Sequence, residues 1–410
     1  MKLKMYPLLF AFLLIGLQQV GAQGCVAVRQ MGGLSLCSLN SYNMQKGDFQ
    51  MGVGYRYFHS FRHFVGTEEQ PDRQTTGGGH DANGNELGNA VNIYSHAVDF
   101  NFSYGISNRL QLNATIPYVN NERSQVLRQS SPEPDTFRYS VFADGIADFR
   151  LGLNYWVFEP ETAQDGNLMV GLGIKLPTGN FAATDSQVPQ TDGSKKDFVV
   201  MDQAIQPGDG GIGYSVELQG FKKLFGNFIG FANGYYLFNT RESNGSYKSA
   251  PTVVKSPVDG NVLGTLYGYN IYASPDQYFV RAGISTTVLK KLNVSLAYRW
   301  EGIPAYDAIG GQIAYRRPGY VMAIEPGIAY STGNHSFYLF VPKNIVRNRI
   351  QSAADIANQD LQNSVVTDPA DYVHVQGDAA FADYSISVGY SYRFGKKMQS
   401  TFHDAMDVKK

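Results

Sequence analysis

Apolar and polar side chains alternate with a period of two through much of this chain. In 291–301, Leu292, Val294, Leu296, Tyr298 and Trp300 alternate with Asn293, Ser295, Ala297, Arg299 and Glu301. In 166–176, Leu168, Val170, Leu172, Ile174 and Leu176 alternate with Asn167, Met169, Gly171, Gly173 and Lys175, and in 98–104, Val98, Phe100, Phe102 and Tyr104 alternate with Asp99, Asn101 and Ser103. Near the C-terminus, "YSISVGYSYRFGKK" sets Tyr384, Ile386, Val388, Tyr390, Tyr392 and Phe394 against Ser385, Ser387, Gly389, Ser391 and Arg393. This is the period of a strand whose two faces meet different surroundings. A soluble sheet turns its apolar face to a core and its polar face to water, whereas a membrane barrel turns apolar and aromatic residues to lipid and small polar ones to a narrow lumen. The polar face here is repeatedly Gly, Ser and Asn, which suits a lumen.

Strands are predicted at 47–59, 91–105, 108–119, 144–157, 167–178, 209–222, 225–240, 276–289, 291–303, 316–331, 334–346 and 380–394. The gaps at 106–107, 158–166, 223–224, 290 and 332–333 are short, and those at 60–90, 120–143, 179–208, 241–275, 304–315 and 347–379 are long and polar. Strict alternation of short and long connections predicts an all-β fold: a transmembrane antiparallel β-barrel of about twelve strands, with short periplasmic turns and long extracellular loops. An even count brings both ends of the barrel to the periplasmic side, where 380–394 closes the wall by pairing with 47–60. The gaps at 241–275 and 347–379 are long enough to hold a further hairpin. The run "FIGFANGYYLF" (228–238) is apolar on both faces, so its inside and outside are not assigned from the pattern.

Composition agrees. Aromatics are 13% and charged residues only 17%, with 44 Gly, 27 Tyr and 25 Phe, yet mean hydropathy is −0.24, as expected of strands whose two faces cancel. A net charge of −1 gives no basic surface for a nucleic acid. Lys2 and Lys4 precede the apolar run "PLLFAFLLIGL" and the small-residue site Val20-Gly21-Ala22, which predicts a signal peptide over 1–22. The expected mature organisation is an N-terminal periplasmic segment at 23–46, the barrel at 47–394 and a charged periplasmic tail at 395–410. In an exported chain Cys25 and Cys37 are expected to form a disulfide that staples the N-terminal segment. Lipidation of Cys25 is the weaker reading, because Ala22-Gln23-Gly24 lacks the Leu-like residue that it requires.

Four stretches, "GISNRLQLNATIPYVNN" (105–121), "DGIADFRLGLNYWVF" (144–158), "LMVGLGIKLPTGN" (168–180) and "PGDGGIGYSVELQGFKKL" (207–224), stand in an order and spacing that resembles the MetA-pathway of phenol degradation family of outer-membrane proteins. The resemblance covers about 120 residues, and its most specific piece is Lys175-Leu176-Pro177-Thr178-Gly179 at the close of a strand. It implies a porin or transporter for small, often hydrophobic compounds, and it supplies no catalytic residues.

Chemical constellations are sparse. His59 and His63 have the spacing of a helical metal pair, but in a strand residues four apart lie on the order of 13 Å from each other. Asp81, Asn83 and Asn85 open like a calcium loop, but Glu86 stands where that loop needs Gly and Asn92 where it needs Glu. His96 and His335 have no nucleophile motif nearby, so no enzyme, metal site or cofactor is expected. The inward-reading charges remain: Arg56, Asp99, Arg150, Lys175, Glu217, Arg281, Arg299, Glu301, Glu325 and Arg393. They would either neutralise one another as a ladder or line a permeation path, tilted toward anions by six basic groups against four acidic ones. The expected function is an outer-membrane channel for passive or facilitated passage of small solutes, hydrophobic or aromatic ones among them. The alternative is a non-conducting structural component of an outer-membrane assembly. Expected partners are outer-membrane lipids, a small-molecule solute and the barrel-assembly machinery, which would read an aromatic end such as Tyr392 and Phe394.

Overall fold

The computed structural model describes residues 44–130, 135–289, 291–311 and 313–395. The leader, Cys25, Cys37 and the charged tail after Gly395 lie outside the described residues. Twelve wall positions follow one another in chain order: β1 (Phe49–Val65), β2 (Asn92–Gly105), β3 (Leu110–Gln129), β4 (Asp135–Ile146 and Phe149–Trp156), β5 (Gly166–Leu176), β6 (Gly213–Lys223), β7 (Phe228–Asn239), β8 (Gln277–Val288), β9 (Leu292–Ile303), β10 (Gly319–Thr332), β11 (His335–Phe340 and Lys343–Asn348) and β12 (Ala379–Phe394). Each pairs antiparallel with the next, and β12 pairs with β1 from Phe49↔Phe394 to Phe64↔Ala379, so the sheet closes on itself. Closure leaves the membrane-spanning part of the wall no edge.

The outer surface is apolar. Met51 and Val53 on β1, Phe100 on β2, Leu172 on β5 and Val216 on β6 all point away from the barrel and are exposed, Leu172 at 67%. The alternate positions, among them Asn101, Ser103, Asn154, Ser215, Asn233, Ser387 and Ser391, are buried inside. A soluble domain inverts this arrangement; a lipid-facing barrel requires it. Phe49 and Phe394 stack at 5.8 Å at the short-turn end, and Tyr57, His96 and Tyr118 lie at the other end of the apolar band. From Phe49 to Tyr57 is about 27 Å along the strand, or about 20 Å of height at the usual tilt. This is a membrane-spanning barrel of the outer-membrane kind.

Two elements differ from their expected form. The gap at 120–143 is largely strand: β3 and the first segment of β4 continue as a hairpin past the apolar band, paired from Tyr118↔Ile146 to Gln129↔Asp135. The gap at 241–275 holds a hairpin, Thr252–Lys255 with Val262–Leu266, but it stands outside the wall and leaves the strand count unchanged. In 347–379 lies the helix α1 (Ala353–Asn363), started by a capping box in which Ser352 Oγ accepts from the Asp355 amide and Asp355 accepts from that of Ser352. On β7 the odd positions face inward, where Tyr235 and Leu237 pack with Phe279 of β8. The run with two apolar faces therefore lines an apolar stripe of the interior.

Two glycines make one inward aromatic possible. A Cβ on Gly389 would sit 2.4 Å from the Tyr338 ring, and one on Gly54 would sit 2.7 Å from its hydroxyl. Tyr338 thus lies flat over bare backbone on β1 and β12. Gly389→Val is expected to destabilise the barrel by about 1–3 kcal/mol through overpacking, read from the temperature at which the folded, heat-modifiable band is lost on a gel. Adding Tyr338→Ala should recover part of that loss; a double variant no more stable than Gly389→Val would show that the ring does not need this space.

Candidate functional site

The interior is organised by height. Arg56, Asp99, Arg150, Glu217, Arg281, Arg299 and Glu325 each stand six or seven residues from the periplasmic end of their own strand. The pattern of inward charges is thus a girdle near mid-height. Lys175 and Glu301 stand nine residues up, and Arg393 one residue from the rim.

On one side of the girdle the charges neutralise one another. Arg281 and Arg299 are directly opposed across β8 and β9, an unfavourable pairing that Glu325 relieves by meeting Arg281 Nε at 2.7 Å and Arg299 at 3.2 Å. Glu301 takes the other end of Arg299 at 2.7 Å. Aromatic faces complete the packing: Arg281 lies between Phe231 and Phe340 at 5.0 and 4.7 Å, and Arg299 lies 5.1 Å from Phe279. At the rim, Arg393 meets Asp48 at 3.2 Å. Arg56 and Asp99 are diagonal neighbours on β1 and β2.

The other side is more polar and less tightly filled. Ser103 donates to Asn113 at 2.7 Å, Asn113 to Asn154 at 3.2 Å and Asn154 to Glu217 at 3.4 Å, a ladder that climbs from the periplasmic end to the girdle across β2, β3, β4 and β6. Arg150 lies 5.6 Å from the Tyr235 ring. Two cavities of about 30 Å³ each, room for one or two waters, adjoin at Arg150 and Lys175. The lower touches Thr115, Glu217 and Tyr235, and the upper touches Asp148, Asp209, Gln203 and Gln277.

The roof of the upper cavity comes from a loop that folds inward. Residues 201–211, "MDQAIQPGDGG", are buried apart from the partly covered Asp202. Met201, Ala204 and Ile205 pack against Ile93, Val141 and Ala143 on the inner face of β2 and β4, and Asn121 donates to the Ile205 carbonyl at 2.9 Å. Arg317 grips Asp202 with two hydrogen bonds of 2.6 Å. Burial acts to raise the pKa of that carboxyl, but the guanidinium outweighs it and holds Asp202 well below the usual carboxylate range.

Beneath the loop, three of the sequence stretches meet. Wall strand β4 breaks at Ala147 and Asp148. Asp148 accepts from the Gly179 amide at 3.0 Å and from that of Asp209 at 3.2 Å, and Thr178 bridges the Phe149 amide and the Ala147 carbonyl. Lys175, 2% exposed, ion-pairs with Asp209 and lies 3.5 Å from Asp148. Gly179 and Gly208 pass so closely that a Cβ on Gly208 would lie 2.4 Å from the Gly179 carbonyl oxygen. "DGIAD", "KLPTG" and "PGDGG" therefore form one junction between wall and inward loop.

Alternation placed all ten expected charges on the inward face, but it did not find Asp48, Asp148, Asp202, Asp209 or Arg317. These stand in turns, where a period of two says nothing; the available signal was the cluster Met201, Ala204 and Ile205 in an otherwise polar gap. With Asp48, Asp148 and Asp209 included, six basic groups face seven acidic ones, so the anionic tilt expected from side chains on the strands is removed. His59 and His63 do not converge: His59 stacks on Tyr94, 4.1 Å away, whereas His63 is buried against Asp378 and Val91. Asp81 accepts from the Asn83 and Asn85 amides at 2.9 and 2.8 Å, which is a loop turn.

Lys175→Met leaves Asp148 and Asp209 buried together without a cation, an expected cost of about 3–5 kcal/mol, measured as urea stability in detergent at neutral pH. Lys175→Met/Asp209→Asn should recover much of it. Equal stability of the wild type and Lys175→Met would remove the ion cluster from the account.

No family model matches this chain, and no curated protein matches its sequence. The motif resemblance to the phenol-degradation family accordingly rests on its four stretches alone. Among solved structures, the chain is similar to an outer membrane channel from Pseudomonas putida F1, with 10% identity and a TM-score of 0.51 over 87% of this chain and 99% of that one. A Pseudomonas aeruginosa FadL homologue (10% identity, TM-score 0.39, 85% and 90% covered) and the P. putida toluene transporter TodX (12%, 0.39, 85% and 90%) align more loosely. The first likeness is one of fold, and the other two add nothing to it.

Proposed function

We propose that this protein is an outer-membrane channel for the passive or facilitated passage of small solutes, and that the conformation described is its closed one. The observation that carries the reading is the arrangement of the interior. A polar ladder and a charged girdle run through a lipid-facing barrel, and a loop anchored by ion pairs roofs them. A purely structural barrel has no need of a polar, hydrogen-bonded track beneath a separately folded stopper.

The reading follows from the chemistry of the path. A solute entering from outside meets loop 201–211, then Arg150 and Lys175, then the Asn-rich ladder down to the periplasmic rim. Tyr235 and Leu237 give the same track an apolar side. This mixture suits a small molecule with an apolar body and a polar group, which accommodates the small, often hydrophobic compounds that the motif resemblance implies. Charge balance along the path argues against strong ion selectivity. Export through the leader at 1–22, a periplasmic N-terminal segment stapled by Cys25 and Cys37, and assembly through the aromatic end of β12 complete the proposed biology.

The loop gives the test. In planar bilayers the intact protein should conduct weakly, whereas replacing 203–211 with a short Gly–Ser linker, or Arg317→Gln, should raise single-channel conductance several-fold. If intact and loop-replaced barrels, both folded by the heat-modifiability criterion, stay equally silent, the channel reading fails and the non-conducting structural component takes its place.

A further inference from the structure

We propose that the extracellular hairpin 184–200 is a membrane-interface anchor, which rests on the outer-leaflet lipid with Phe198 inserted at the boundary between headgroups and acyl chains. The inference stands whether or not the barrel conducts.

It begins at an edge. The first segment of β4, Asp135–Ile146, pairs with β3 on one side only, and the hairpin covers its other edge. Asp185 accepts from the Phe142 amide at 2.8 Å, and near the hairpin tip the Ser130 amide donates to the Thr191 carbonyl at 2.7 Å. The hairpin pairs Thr184 with Val200 and Asp185 with Val199, then Val188 with Lys196. It therefore stands beside the wall as an additional, shorter layer.

Its two faces differ. Val188 and Val199 turn inward onto the cluster around Val141 and Ile205, and Val200 turns outward. Alternation from the inward Val199 places Phe198 outward, on the same face as Val200. Its backbone also takes φ +57°, a left-handed conformation that a bulky side chain rarely adopts, and the ring is 80% exposed. An exposed apolar ring carried on an unfavourable backbone is the kind of outlier that marks a binding surface.

The occupant follows from continuity. Ile146 pairs with Tyr118 at the upper border of the apolar band, and Phe142 follows four residues higher on the same outward face, 51% exposed. Val200 and Phe198 extend that stripe across the hairpin. Four residues of strand rise about 13 Å along its length, which carries the stripe from the acyl region into the headgroup layer, where aromatic rings are most stable. Charge does not supply the attraction. Lys195 and Lys196 are balanced by Asp192 and Asp197, and Asp197 is turned back to accept from Gln187. The contact is therefore one of apolar burial in lipid, continuous with the surface that already faces it.

The test uses the full chain in phospholipid vesicles, with Phe198→Trp as reporter and the signal of the unsubstituted protein subtracted to remove Trp156 and Trp300. Tyr267→Trp, at another exposed loop position, is the aqueous control. Phe198→Trp should emit at shorter wavelength than the control. It should be quenched at least about twofold more than the control by lipids brominated near the headgroup, and be shielded from acrylamide. Val200→Trp should follow the same trend. Emission and acrylamide quenching equal to the control, without an effect of bromine, would overturn the proposal. So would protection of Phe198 in intact outer membranes but not in pure-lipid vesicles, which would give the patch to a protein partner instead.

Discussion

The junction of Lys175 with Asp148 and Asp209 is the interaction on which the rest of the interior depends. A lysine buried to 2% exposure is tenable only with carboxylates beside it, and two buried carboxylates this close are tenable only with a cation between them. The three residues come from three places: the break in β4, the end of strand β5 and the loop that leads into β6. Satisfying one another, they tie the wall to the loop that enters the mouth. The glycines around them follow from the same constraint, since the backbones of Gly179 and Gly208 must approach without side chains for Asp148 to cap both turns.

Seen from this junction, the interior has two characters. Around Arg281, Arg299 and Glu325 it is a buried block of ion pairs and aromatic faces. Around Arg150, Asn154 and Glu217 it is a hydrogen-bonded track with small cavities. This barrel fills one half with its own charges and leaves small cavities in the other. Motion is then expected in the loop and not in the wall, because the wall's hydrogen bonds are shared between neighbours all the way round.

Much of this was legible in the sequence, for a definite reason. Lipid outside and a narrow polar lumen inside impose opposite demands on successive residues, so Tyr390, Ser391, Tyr392 and Arg393 report their faces directly. The two faces of "YSISVGYSYRFGKK" and the inward charges could be read from that rule, and the alternation of short and long connections made that stretch the closing strand. The rule stops where the chain turns. Asp148, Asp202 and Asp209 act through backbone amides and distant cations, and their roles depend on which turns meet in space. The extension of β3 beyond Val119 was hidden for another reason: above the membrane both faces of a strand meet water or loops, and the contrast that reveals it fades. On β7, Tyr235 and Leu237 defeated the rule because an apolar stripe faces inward.

The central claim is that loop 201–211 occupies the path and must leave it for solute to pass. The Asn121 side chain touches the Ile205 backbone carbonyl, so Asn121→Cys/Ile205→Cys puts one thiol on the wall and one on the loop at their contact, to be joined as a disulfide or through a short, reducible cross-linker. The most direct measurement is uptake of a small solute into liposomes holding this variant, oxidised and then reduced, with the wild type as control. The account expects uptake to be suppressed when the bond is formed and restored by reductant, with the wild type unaffected by either treatment. Equal uptake in both states, with the bond verified, would contradict it.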